Sequence, residues 1–154
     1  MLLAAARGQP FSINMVPNMD WFNALRMPSW TPPGVAFPIA WLLVSKPTQM
    51  AACVRLTSAL GSPPWAVISL WALHLSLGDA WNEVFFERQR VGLGAVVIII
   101  FYAALLATAV TFARLDRMAG LLMLPTCLWV TVAASLNLAI WWLNRGALLS
   151  QQND

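Results

Sequence analysis

Residues 92–112, GLGAVVIIIFYAALLATAVTF, contain no charged side chain. A helix rises 1.5 Å per residue, so roughly 20 apolar residues match the ~30 Å hydrocarbon layer of a bilayer. Two further stretches are of the same kind. Residues 120–143 (GLLMLPTCLWVTVAASLNLAIWWL) are bounded by Arg117 and Arg145, and residues 64–86 (PWAVISLWALHLSLGDAWNEVFF) carry His74, Asp79 and Glu83. The whole chain of 154 residues is 60% hydrophobic and 10% charged, against about 45–50% and about 25% in soluble domains. A domain of this size has too little interior to hide that apolar content. A disordered chain, a coiled coil, a soluble enzyme core and a nucleic-acid module are excluded. The length fits one domain, 1–154, embedded in a lipid bilayer.

A fourth span is expected at 34–57. Its apolar start, GVAFPIAWLLVS, meets Lys46-Pro47 near the midplane before MAACVRLT resumes. Proline kinks a helix and lysine is costly in lipid. The preferred reading is a kinked span with Lys46 turned inward, the other being a re-entrant first part. Residues 1–19 hold Arg7, Gly8, Pro10 and Pro17 and read as a broken first helix or a tail. They do not read as a signal peptide, because the positive charge follows the apolar run. The connections 87–91 and 113–119 are short, so the last three spans are expected to be antiparallel neighbours.

Nine basic residues give a net charge of +3, but they stand singly. Anchoring of loops at headgroups explains them, and no nucleic-acid partner is expected. Cys53 and Cys127 lie inside apolar runs and read as small hydrophobes. With a single histidine, the chain offers no Ser-His-Asp, Cys-His or metal-ligand set, and it has no Gly-rich phosphate loop. Hydrolase and metalloenzyme chemistry is not expected.

At about 100° per residue, Trp71, His74, Gly78, Trp81 and Phe85 share one helix face, whereas Asp79 lies about 140° from His74. That face either meets a flat aromatic ligand or packs against a helix with His74 hydrogen-bonded to a neighbour. Glu83 lies near enough to the interface to reach it. Asp79, about 6 Å from the midplane, needs a partner, and Lys46 at similar depth is the expected one. Trp21, Trp65, Trp141 and Trp142 are expected in the interfacial aromatic belt.

Residues 20–33 form a proline-locked interfacial loop whose Pro32-Pro33 can launch the next helix. Its string WF-x-x-L-x-x-PSWTPP, from Trp21, is followed by FPIAW at Phe37–Trp41. Together they resemble the start of the tryptophan-rich sensory protein / translocator protein (peripheral benzodiazepine receptor) family. Further matches follow in order: Leu75, Leu77, Trp81 and Phe85-Phe86; Arg90 and Gly92; then Pro125, Leu128-Trp129, Ala133 and Leu136-Asn137.

The resemblance implies an all-α, polytopic membrane bundle of five helices, of which this chain shows four clear spans. It implies a homodimer in a lipid bilayer, with an intramembrane cavity for porphyrin, haem-type tetrapyrroles, sterols and similar apolar small molecules. The implied role is transport, sensing or stress response in a bacterial envelope or organelle membrane. No obligatory cofactor is implied. Carried over by position, the cavity residues are Trp30, Phe37, Trp41, Trp81, Trp129, Ala133 and Asn137; His74 joins them from its face and depth. One rival reading is a cavity-deficient structural or assembly subunit. The other is a light-dependent porphyrin-degrading protein.

The chain departs from the family pattern at several places. Val35 stands for the usual Trp, Ser45 and Thr126 for Tyr, and His74, Gly78 and Glu83 for Gln, Asn and Pro. The sterol-recognition pattern near the C-terminus lacks its Tyr across 138–142, so sterol recognition is not carried over.

Overall fold

The computed structural model describes residues 19–150, and the side chains of residues 20–145. The expected broken first helix falls at residues 1–18, outside the described residues. A short helix α1, Met19–Ala24, leads into a proline-rich segment, 25–35. Four long helices follow. Helix α2 covers 36–60, α3 covers 65–87, α4 is Val91–Leu115 and α5 is Arg117–Ser150. No strand occurs among the described residues.

Helix α2 shows how the Lys46-Pro47 interruption is accommodated. Pro47 has no N–H to give to the preceding turn. The helix widens to a π-helical register over Ile39–Ser45, and the Lys46 amide donates five residues back to Trp41. An α-helix, Lys46–Leu60, then restarts with Pro47 in its first turn, where a missing donor costs least. The helix is therefore continuous across Lys46-Pro47. Lys46 does not turn inward as expected. Ser45 and Gln49, one turn apart, take the buried face, and this leaves Lys46 exposed.

The connections are tighter than the sequence suggested. Gly61 closes α2 in the left-handed region at φ 70°, which glycine enters without a Cβ clash. Asp116 alone separates α4 from α5, in an extended conformation. Its Oδ1 accepts the Ala119 N–H at 2.7 Å, capping α5, as short acceptor side chains do at helix starts. Gly120 lies so close to Ala113 that a Cβ on it would sit 2.5 Å from the Ala113 Cα. The α4–α5 hairpin thus closes backbone against backbone.

Helices α4 and α5 pack along their length, α3 lies on α4, and α2 lies on α5. By contrast, α2 and α3 barely approach each other. The outer surface is apolar: Leu43 is 71% exposed, Leu128 69% and Val54 60%. Such a continuous apolar exterior is untenable in water and ordinary in lipid. Both α4 and residues 117–145 of α5 are long and apolar enough to cross a bilayer. The architecture is an all-α membrane helix bundle.

Candidate functional site

Where α2 and α3 diverge, the space between them is filled with rings. At the α1 end, Phe22 is buried and meets Phe37 edge-on at 5.9 Å and Phe86 at 5.7 Å. Trp81 stacks on Phe85 with centroids 5.5 Å apart. Its indole N–H donates to Asn137 Oδ1 at 2.9 Å, and Asn137 Nδ2 donates to the Val91 carbonyl at 3.1 Å. One α5 amide thereby ties α3 to α4. The cavity left among Phe22, Phe37, Trp81, Phe86, Ala133 and Asn137 is about 10 Å³, room for about one water. Trp21, expected in the belt, turns its ring edge-on to Phe85 at 5.5 Å.

Besides these ring contacts, the covering segment, α1 and residues 25–35, is tied to α5 by the Asn144 amide. Asn144 Oδ1 accepts the Arg26 N–H at 3.0 Å, and Asn144 Nδ2 donates to the Arg26 carbonyl at 3.0 Å. The side chain pairs with the backbone much as another peptide would.

Deeper in the bundle the ring column continues. Trp129 meets Phe37 and Trp41 edge-on, at 5.4 and 6.5 Å. Trp41 stacks on Phe101 at 6.4 Å, and Phe101 lies nearly parallel to His74 at 6.3 Å. Phe101 also rests on Gly78, where a Cβ would come within 3.2 Å of its Cζ. The bare Gly78 makes room for that ring.

Below the rings lies a polar chain that draws on all four long helices. His74 Nε2 is 2.8 Å from Gln49 Oε1, Gln49 Nε2 donates to Ser45 Oγ at 3.0 Å, and Ser45 Oγ is 2.9 Å from Thr126 Oγ1. With Gln49 Oε1 as the acceptor, this bond uses the His74 tautomer that carries its proton on Nε2. His74 Nδ1 then faces Thr108 Oγ1 at 3.4 Å. Ser45, Gln49, His74, Thr108 and Thr126 are all buried. His74 is hydrogen-bonded to a neighbouring helix, as the packing use of its face expects.

The expected site residues divide accordingly. Phe37, Trp41, His74, Trp81, Trp129, Ala133 and Asn137 share the interior between the helices. Trp30 does not; it sits on the loop, half exposed. The expected Lys46–Asp79 contact is absent, since both residues face outward and do not pair. The ion pairs among the described residues are Arg55–Asp116 and Arg88–Glu83, at 3.0 and 2.7 Å. Sequence reasoning missed Phe22, Gln49, Phe101 and Thr108. The Ser45/Gln49 spacing of four within an apolar run was the available signal for an inward polar face.

A second concavity, about 520 Å³, opens outward between α2 and α5 and is lined by Ala36, Ile39, Ala40, Leu128, Trp129 and Val132, among others. It is almost wholly apolar.

Residues 1–143 match the sequence profile of the TspO/MBR family. The chain belongs to that family. It is 34% identical over 128 residues to protein CrtK of Rhodobacter capsulatus, covering 82% of this chain and 79% of that one. With the tryptophan-rich sensory protein of Cereibacter sphaeroides it shares 31% over 141 residues, 91% and 87% of the two chains. With the translocator protein of Sus scrofa it shares 28% over 130 residues, 83% and 77%. Membership of the TspO/MBR family assigns a membrane protein with a sensory or transport-type role. Three of its departures from the family pattern, Ser45, His74 and Thr126, belong to the one polar chain.

Proposed function

We propose that the protein binds a porphyrin, or a similar flat tetrapyrrole or apolar ligand, in the ring-filled space between α2 and α3, as a membrane receptor or transporter. The observation that carries this reading is the column of rings from Phe22 through Phe37, Trp129 and Trp41 to Phe101, with Trp81 beside it on Phe85 and Phe86. Offset and edge-on aromatic contacts are the interactions a planar macrocycle would make in their place. Pockets for drug-sized ligands occupy roughly 300–1,000 Å³, so the 10 Å³ cavity must widen for binding. Residues 19–35 are the cover that would lift, since α1 contributes Phe22 and Asn144 holds Arg26. The host membrane would be a bacterial envelope or organelle membrane. A homodimer belongs to the same reading, and native mass spectrometry would show it as twice the 16.9 kDa chain.

Titration of the detergent-solubilised protein with protoporphyrin IX tests the binding, with tryptophan fluorescence as the readout. Saturable quenching, weakened by Trp81→Ala and by Phe37→Ala, is expected. Unsaturable quenching would overturn the reading. The closed cavity favours a second one, in which the rings are permanent packing and the protein serves as an assembly subunit of a membrane complex.

A further inference from the structure

Helices α2 and α3 follow one another in sequence, joined by the short connection 61–64, and yet they barely approach along their length. Among the described residues, one hydrogen bond joins them, from His74 to Gln49. We propose that Gln49 and His74 are a positioning pair whose bond sets the α2–α3 separation, and so limits how far the ring column can open for a planar apolar ligand. The ligand half of this proposal rests on the binding reading above; the separation half does not.

Three observations support the pair as a latch. Both side chains are buried, at 3% and 1% exposure, so water cannot readily replace the bond and breaking it leaves polar groups unpaired. Each partner is also tied to the α4–α5 hairpin. Gln49 reaches α5 through Ser45 and Thr126, and His74 lies against Phe101 and Thr108 of α4. Finally, the latch lies part-way along a lever. At 1.5 Å per residue His74 is about 16 Å from the connection and Phe85 about 32 Å. Every ångström of opening at the latch thus becomes about two at the level of Trp81, Phe85 and Phe86. The small cavity lies on the far side of the latch from the connection, where that gain is greatest.

The test measures separation and binding on the same variants. Spin labels on cysteines placed at Ile39 and Glu83, both exposed, in a Cys53→Ala/Cys127→Ala background, report the α2–α3 distance by pulsed electron resonance. His74→Leu is expected to lengthen or broaden that distance by roughly 2–4 Å, following the lever ratio. His74→Gln, which keeps an N–H donor of similar reach, should leave it unchanged. His74→Leu/Gln49→Leu removes both partners and leaves no unpaired group, and it provides a folded variant if the single one is unstable. Protoporphyrin IX association should be roughly tenfold faster in the unlatched variants, the factor that one buried hydrogen bond is worth. An unchanged distance in the folded double variant overturns the latch, even where porphyrin binds. A changed distance with no porphyrin binding in any variant leaves the latch standing and overturns the binding reading. Binding that is equally fast in all variants despite a changed distance overturns the latch's control of access.

Discussion

Two antiparallel helix pairs in this bundle are built on opposite principles. In α4–α5 one residue makes the connection, Gly120 lies against Ala113, and the helices run together along their length. In α2–α3 the helices spread apart, and rings, one buried hydrogen bond and a covering segment fill the gap. Backbone-to-backbone packing has little freedom to yield, because interiors are close-packed and deform poorly. Ring-on-ring contacts are favourable in more than one arrangement, offset-stacked or edge-on, so a ring can change neighbours without losing its kind of contact. One pair is a scaffold and the other is where a ligand could be accommodated.

The sharpest way to break this contrast is Gly120→Ala. A side chain there must push Ala113 and its backbone away. Overpacking typically costs about 1–3 kcal/mol and more where backbone must move, so this variant should lie at or above the top of that range. Unfolding of the purified protein by denaturing detergent measures it. A change of comparable volume at a ring of the α2–α3 pair, Phe37→Trp, should cost clearly less. Equal losses would end the scaffold-and-accommodator distinction.

Asn137→Ala probes the junction between the two halves. It strands the Trp81 indole N–H, at about 1–3 kcal/mol for an unsatisfied buried group. The same assay reads the loss, and the Trp81 emission should shift as its hydrogen bond is lost. Asn144→Ala should free the covering segment while leaving the bundle intact. Hydrogen exchange at the Arg26 amide is expected to rise roughly tenfold, consistent with a local opening, while amides of α4 and α5 keep their protection. If those α4 and α5 amides also lost protection, the cover could not be treated as separate from the scaffold.

The smallest effect concerns pH. The Arg55 guanidinium, and after it the Ala119 amide, hold the Asp116 carboxyl below its ordinary value. A carboxylate depressed in the folded state stabilises above its unfolded pKa, and that contribution fades as pH falls through about 4 toward the folded value. A small decrease in melting temperature is expected across that window, and Asp116→Ala should remove it. Arg55 is half exposed, and solvent screening of the pair keeps the effect slight.

Much of the fold was legible because lipid imposes a simple rule. Apolar runs of sufficient length must be helices there, since every backbone donor and acceptor has to be satisfied within the segment. Helix α4 and the apolar part of α5 follow directly. At Lys46-Pro47 hydropathy could locate the interruption but not its remedy, because the π-helical register depends on which carbonyl the Lys46 amide finds. The helical wheel separated His74 from Asp79 correctly, yet depth alone paired Asp79 with Lys46 wrongly. Depth says how far a residue lies from water and leaves open which way it faces.

By itself, the sequence determined that the chain is a helical membrane protein, and its Trp-Pro string and ordered matches pointed to the family. Hydrophobicity and spacing are properties of one segment, and one segment carries them. The closed ring column, the outward Trp30, and the joining of Ser45, Gln49, His74 and Thr126 were decided by the tertiary structure. Each of these depends on the relative rotation and separation of helices distant in sequence, and only packing in three dimensions sets those.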